Sequence, residues 1–358
     1  MPTVRNPINP NTFIDITSAL ENIPFSYGRY ADSGLFTEQG ITTQATMFKV
    51  VEQKDTKMTK LTSRTERDAM ALDKEKEKHI TMAGLTVKIT GGVHVEDLMD
   101  VSTDLFTMDS DTWQDATLKE LTRMGNAGAA NYEYLITTAS QGRVKDPKNG
   151  DVAMDLFTMT GTNQTTFTLD ASPDSDIFAE LNRLTNVIST LNGSNGNIGQ
   201  IEVVLGETAF SAVVSHPDFS GLAQLAFSGM GQVAMNNQLL NGTAGLQERT
   251  RYGYRREFAW NNFLFVTYPQ KFRRWDNTQV DAVAANKGWT IVHNVTGLYE
   301  VKFCPAPYAS QLRGVGTKWL ARTTGIVDDT HSDMTLESHL IPYMKRPEMS
   351  LDITVTTV

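Results

Sequence analysis

Met349, Leu351, Ile353 and Val355 alternate with Ser350, Asp352, Thr354 and Thr356, a period of two that predicts a strand running almost to Val358. Such a late strand is expected to close a sheet begun much earlier, beside a long helix. That helix is written in Trp113, Thr117, Leu121, Met124, Gly128, Tyr132, Leu135 and Ala139, which recur at spacings of three and four. Asp111 and Gln114 approximate a capping box at its start, and Gly142 marks its end. Roughly 30 helical residues would extend about 45 Å. Gly125 and Gly128 each weaken the middle by about 1 kcal/mol relative to Ala, so the pattern predicts a close neighbour there, a sheet under the helix.

Turn formers crowd Gly142 to Asp151, followed by alternation around Asp155–Thr160 and Thr165–Leu169 that predicts a β-hairpin. Ser172-Pro173 opens a second helix whose apolar stripe is Ile177, Leu181, Leu184, Ile188 and Leu191. A strand at Ile201–Leu205, a helix at Thr208–Ser215 stopped by Pro217, and strands near Phe258–Val266 and Thr290–Val292 complete a mixed unit. The first forty residues scatter their apolar positions among Pro2, Pro7, Pro10 and Pro24, and read as an extended arm with one short helix around Thr17–Asn22. The fold class that follows is α+β in two compact units, with α/β open for the central one.

Between the strand-like stretches Thr42–Phe48 and Leu85–Ile89, nine cations and seven anions lie among few apolar residues from Lys49 to His79. A segment of that composition builds no core of its own. It predicts a long hairpin arm that leaves the body, returns, and rests on another copy of the chain. The formal net charge is -9 and the arm contributes 9 - 7 = +2, so the remainder carries -11. An acidic body argues against a protein whose whole surface grips nucleic acid. Cys304 is the single cysteine, which excludes an internal disulfide framework and fits a reducing compartment. No apolar stretch approaches the roughly 20 residues that cross a bilayer, and the first residues form no signal sequence. Four Asn-x-Ser/Thr matches, at Asn163, Asn192, Asn241 and Asn294, read as chance in such a chain.

Little in the sequence has catalytic form. The histidines at 79, 94, 216, 293, 331 and 339 lack metal-ligand spacing, and His331 and His339 fall in an expected loop. Gly314-Val-Gly-Thr-Lys-Trp misses the spacing of a P-loop, and Gly193-x-x-Gly196-x-x-Gly199 follows a helix where a dinucleotide fingerprint follows a strand. Cys304 precedes Pro305 without a nearby base, and the pairs Asp109/Asp111, Asp174/Asp176 and Asp328/Asp329 sit where caps are expected. Neither an enzyme nor a cofactor or metal site is expected. From Arg249 to Trp275 seven cations, among them Arg255 and Arg256, stand against Glu257 alone and interleave with Tyr252, Tyr254, Phe258, Trp260, Tyr268, Phe272 and Trp275. Aromatics between cations can stack bases and hold phosphates. They can equally line a core or a subunit interface, and both readings stand.

The order of several short stretches resembles one family. Ile23-Pro-Phe-x-Tyr-Gly leads to Gly34-Leu-Phe36. Tyr132-Glu-Tyr-Leu-Ile is followed by Ala139-x-Gln-Gly-Arg-Val-Lys-Asp146 and Gly150, then Gly206-Glu-x-Ala-Phe210 and His216-Pro. Lys302-Phe-Cys-Pro-Ala-Pro-Tyr308, Glu337-Ser-His-Leu-Ile and Arg346-Pro-Glu348 complete the series. Across nearly its whole length the chain resembles the E-type, lambda-like major capsid proteins of tailed bacteriophages.

The resemblance implies the HK97-like fold: an N-terminal arm (1–40), an extended loop (41–90), a peripheral domain with the spine helix and a β-hairpin (91–172), an axial domain (173–322) and a return to the peripheral domain with the C-terminal strand (323–358). It implies self-assembly into hexamers and pentamers of an icosahedral shell around phage double-stranded DNA, held non-specifically. Lys54, Lys57, Lys60, Arg64, Glu66 and Arg67 of the loop, with Arg255 and Arg256, become candidate inter-subunit contacts. Where relatives carry Arg-Gly in the loop, this chain has Arg64-Thr-Glu and Arg67-Asp68. The implied partners are a separate scaffold, since the chain begins directly with the arm, a portal and a decoration protein. The implied location is the virion capsid, after synthesis and assembly in the host bacterial cytoplasm, with no membrane. No Lys–Asn cross-link is expected.

Overall fold

Ser110–Ser140 forms one helix of 31 residues in the computed structural model of the chain. The structure describes residues 13–16, 28–31, 33–53, 76–96, 110–193, 198–219, 249–251, 255–268, 270–274, 276–295, 297–311, 313–324, 327 and 330–357. The chain divides into a first unit of Met1–Met47, Thr81–Thr137 and Glu300–Pro342, and a second of Phe48–Ile80, Thr138–Tyr299 and Tyr343–Val358. The expected helix around Thr17–Asn22, Asp109, Asp328 and Asp329 lie outside the described residues.

In the first unit the long helix buries Leu121, Met124, Tyr132, Leu135 and Ile136, the face that its three-and-four spacing marks. A Cβ placed on Gly128 would stand 2.9 Å from the Trp319 ring and 3.2 Å from Leu336, so the helix axis comes close because Gly128 has no side chain. Leu336 belongs to the strand His331–Met344, the hub of the unit's sheet. That strand runs antiparallel to Leu85–His94 from His331↔His94 to Leu340↔Leu85. It also pairs with Leu320–Thr324 and Tyr299–Phe303, which lead on to Phe13–Asp15 and Thr37–Gly40 respectively. His331 and His339 are therefore strand residues and not loop residues, because fourteen positions continue one ladder.

Gly40 and Gly316 mark a crossing of two backbones in this unit. The Gly316 amide donates to the Ile41 carbonyl at 2.8 Å. A Cβ on Gly40 would overlap the Gly316 carbonyl, and one on Gly316 would overlap the Phe303 carbonyl. Gly314-Val-Gly is thus a crossover and has no phosphate-binding form. Gly316→Ala is expected to destabilise the chain by about 2 kcal/mol or more, since backbone cannot move aside as a flexible side chain would. A urea unfolding midpoint equal to that of the unsubstituted chain would refute it.

The second unit holds a seven-stranded sheet in the order Arg249–Arg251, Arg255–Trp260, Phe263–Thr267, Ile201–Leu205, Lys287–Val292, Asp352–Thr356, Thr166–Asp170. Ile201–Leu205 is buried at all five positions, as expected of a central strand that is covered on both faces. Asn261, at φ 52, makes the tight turn between Trp260 and Phe263. The C-terminal strand keeps its expected alternation, with Ile353 and Val355 buried. It closes a sheet begun much earlier, as expected, lying between Lys287–Val292 and Thr166–Asp170.

Three local expectations are corrected in this unit. The hairpin is Arg143–Lys145 with Val152–Asp155, because Asp155 accepts from the amides of Phe157 and Thr158 and so starts a short helix at Leu156–Thr160. Thr166–Asp170 consequently has no hairpin partner there and joins the large sheet in parallel with Asp352–Thr356. The second helix begins at Ile177 and not at Pro173, since Asp176 caps the amides of Phe178 and Ala179. Its buried stripe is Ile177, Leu181, Leu184, Ile188 and Asn192. The strands Ala45–Gln53 and Lys76–Ala83 pair with each other as a separate two-stranded ladder.

Candidate assembly surfaces

The stretches that carry the resemblance are built around buried polar anchors. Glu133 lies in the last third of the long helix and is fully buried. Its carboxylate accepts from three successive amides: Arg29 and Tyr30, each at 3.0 Å to Oε1, and Ala31 at 2.9 Å to Oε2. Gly28 precedes them at φ 138, a conformation that an L side chain rarely adopts. Gly28 with the Arg29–Ala31 amides and the Glu133 carboxylate thus form one device that ties the incoming arm to the helix. Next to it, Tyr132 donates to Glu38 at 2.6 Å, and Lys318 pairs with the same carboxylate at 2.7 Å while lying 4.2 Å from the Tyr132 ring centre.

A second anchor of the first unit centres on Glu337, 3% exposed. It takes an ion pair from Lys88 at 2.9 Å, a hydrogen bond from Tyr308 at 2.6 Å, and His339 Nε2 at 3.5 Å. His339 Nδ1 lies 2.9 Å from the Thr86 hydroxyl, and the Arg322 guanidinium lies 4.1 Å from the Tyr308 ring centre. Burial alone would push the Glu337 carboxyl up; the hydrogen bonds from Tyr308 and Lys88, with the Lys88 charge, outweigh it and hold it below its ordinary value. The same contact, chiefly the hydrogen bond to Glu337, holds Lys88 above its ordinary value. A depressed carboxyl contributes stability that is present above its unfolded pKa and lost as pH falls through its folded one. Glu337→Gln is therefore expected to lose about 1–3 kcal/mol at neutral pH and to show a flatter fall of stability in acid. Unfolding curves taken from neutral pH to below the carboxylate range test this; an unchanged acid slope counts against it.

In the second unit, Arg346 closes the C-terminal end of the helix Ile177–Asn192. It donates to the Leu191 carbonyl and, at 3.0 Å, to the Asn192 side chain, and Glu348 steadies it at 2.9 Å. A cation there suits the helix dipole. His216 is buried with Nε2 2.9 Å from the Ser172 carbonyl, so His216-Pro is a packing element. Gly142, at φ 79, leaves room for the Phe157 ring. Cys304 is buried, and that burial pushes its thiol up, the reverse of what a nucleophile needs. Sequence reasoning missed Glu133; its signal was one acid within the otherwise buried run 132–140.

Lys54, Lys57, Lys60, Arg64, Glu66 and Arg67 lie outside the described residues. Arg255 and Arg256 stand in a strand, opposite Arg251 and Thr250. The aromatic positions between them and Phe272 are committed elsewhere. Phe258 packs edge-on against Phe219 at 5.0 Å, Trp260 lies 5.2 Å from Phe178, and Tyr268 and Phe272 are buried 6.3 Å apart. Rings spent on a core leave no platform for bases, and the nucleic-acid reading of this segment is not favoured. Among the described residues no three His, Cys, Asp or Glu side chains gather as metal ligands, and no helix is long and apolar enough to cross a membrane.

The α+β body and the separate two-stranded ladder are parts of a chain of the HK97-like fold. In three dimensions the chain is similar to the crystal structure of the putative capsid protein of a prophage of E. coli CFT073, with a TM-score of 0.56, 12% identity, and 96% of this chain and 100% of that chain covered. The family model for phage major capsid protein E matches residues 12–355, and the chain belongs to that family. A relative, the major capsid protein of Salmonella phage Felix O1, is 22% identical over 355 residues, 95% of each chain. The chain is accordingly a phage major capsid protein, a structural component of the virion shell.

Proposed function

We propose that copies of this chain associate as hexamers and pentamers and close into an icosahedral shell around phage double-stranded DNA, each copy laying its hairpin across a neighbour. The observation that carries this reading is the ladder Ala45–Gln53 with Lys76–Ala83. It has no third strand among the described residues, and a lone two-stranded ribbon is marginal in water. Met47, on that ladder, is 62% exposed, an apolar side chain that a partner would cover. The loop residues Lys54, Lys57, Lys60, Arg64, Glu66 and Arg67 supply charges of both signs for such a contact, with Arg255 and Arg256 as further candidates. The arm tied at Glu133 clasps another copy. A net charge of -9 keeps a lining from trapping the DNA that it encloses. A separate scaffold, a portal and a decoration protein complete the head, and synthesis and assembly take place in the host bacterial cytoplasm. Negative-stain microscopy of the expressed chain tests the reading: rings or closed shells are expected, and a chain that stays monomeric at every concentration, with or without its scaffold, overturns it.

A further inference from the structure

A cleft of about 240 Å³ opens in the second unit, lined by Gln141, Lys145, Gln164, Lys287, Trp289 and Asp352, among others. Its charges do not balance. Lys287 is matched by Asp352 at 3.8 Å and by the Thr354 hydroxyl at 2.8 Å. Arg143 is matched by Asp155 at 3.6 Å, and it donates to Gln164 Oε1 at 2.9 Å. With its oxygen thus engaged, the Gln164 amide has its NH2 group left to donate. Lys145, half-buried on the cleft wall, has no carboxylate within ion-pair distance among the described residues, and Arg274 Nε is buried without a hydrogen-bond partner. Asp146 and Asp151 of the adjoining turn form no ion pair with Lys145 among the described residues; Asp146 accepts from the Lys148 amide at 2.8 Å and Asp151 from the Asn149 side chain. Asp276 feels Arg274 only at longer range, its carboxyl being held down first by Thr278. Burial, and after it the charges of Arg143 and Arg274, hold the Lys145 amine below its ordinary value.

We propose that this cleft is a receptor for a carboxylate carried by a second copy of this chain. Such a group would meet the Lys145 ammonium and the Gln164 amide together, and would supply the negative charge that the surrounding cations lack. The anion is a carboxylate for two reasons on the molecule itself. Each copy has 41 acidic against 32 basic residues, so carboxylates are the surplus charge wherever copies meet. The cleft is also a small recess and not a stripe of cations, whereas a nucleic-acid backbone needs several phosphate contacts in a row. The proposal rests on the shell reading above and names a receptor within it.

The test has two parts. A cryo-microscopy map of the assembled shell, empty and DNA-filled, is expected to show an Asp or Glu oxygen of a neighbouring copy within about 4 Å of Lys145 Nζ. In parallel, Lys145→Gln is expected to weaken assembly on the order of tenfold and Lys145→Arg to retain it, with the thermal stability of the unassembled chain unchanged in both. A cleft open to solvent in both maps, or occupied by phosphate in the DNA-filled head alone, overturns the proposal while leaving the shell reading intact. Wild-type chain that forms no shell overturns both. Equal assembly of Lys145→Gln and wild type overturns the receptor alone.

Discussion

A variant in which a short Gly-Ser linker replaces residues 54–75 is expected to fold with near-normal stability and yet to lose shell formation, its particle yield falling by more than about tenfold. Both units retain their cores under this change, because the sheets that hold them include neither strand of the hairpin. Core anchors near the ladder remain as well, such as Phe48, whose ring stacks on Tyr343 at 4.7 Å. Changes at single surface positions usually alter stability by no more than about 0.5 kcal/mol. Assembly is another matter, since burial spread across neighbours is what holds a symmetric shell together. Calorimetry of the unassembled chain and microscopy of the particles separate the two effects. Normal shells from this variant would remove the hairpin from the assembly mechanism.

Glu133→Ala is the second large effect, on stability and not on contact between copies. Three backbone N–H groups would lose a fully buried acceptor at once. Hydrogen bonds to a charged group are worth about 1.5–3 kcal/mol each, but they act as one unit, so a loss of about 3–5 kcal/mol is expected. Glu133→Gln, which keeps one carbonyl acceptor in place, should lose less. Chemical unfolding gives the magnitude, and limited proteolysis near Gly28 reports whether the arm has come loose. A Glu133→Ala chain as stable and as resistant as the original would show that the arm is held by something else.

Regular elements were legible wherever apolar spacing alone decides the structure. Leu121, Met124, Tyr132 and Leu135 mark the buried face of the long helix, and Ile201–Leu205, apolar except at Glu202, marks a central strand. Caps moved the boundaries: Asp155 and Asp176 each start a helix by accepting two amides, and both stand in segments whose composition reads as strand or turn. Strand partners were not legible. Alternation at Ile353 and Val355 states that two faces exist, not which strands lie alongside, and a β ladder is chosen by the whole core. The anchors at Glu133 and Glu337 join residues 102 and 249 positions apart in the pairs Ala31–Glu133 and Lys88–Glu337, beyond the reach of any local pattern. Lys145 carried no signal, since one lysine in a turn-rich stretch resembles any solvated lysine until its neighbours are known.

The parallel ladder between Thr166–Asp170 and Asp352–Thr356 has a consequence for biosynthesis. Its two strands are separated by 186 residues, as in the pair Asp170–Thr356. A nascent chain on the ribosome can collapse its earlier helices, but that edge of the sheet stays open until the codons for residues 352–356 have been read. Each copy therefore completes this sheet only after translation has passed residue 356.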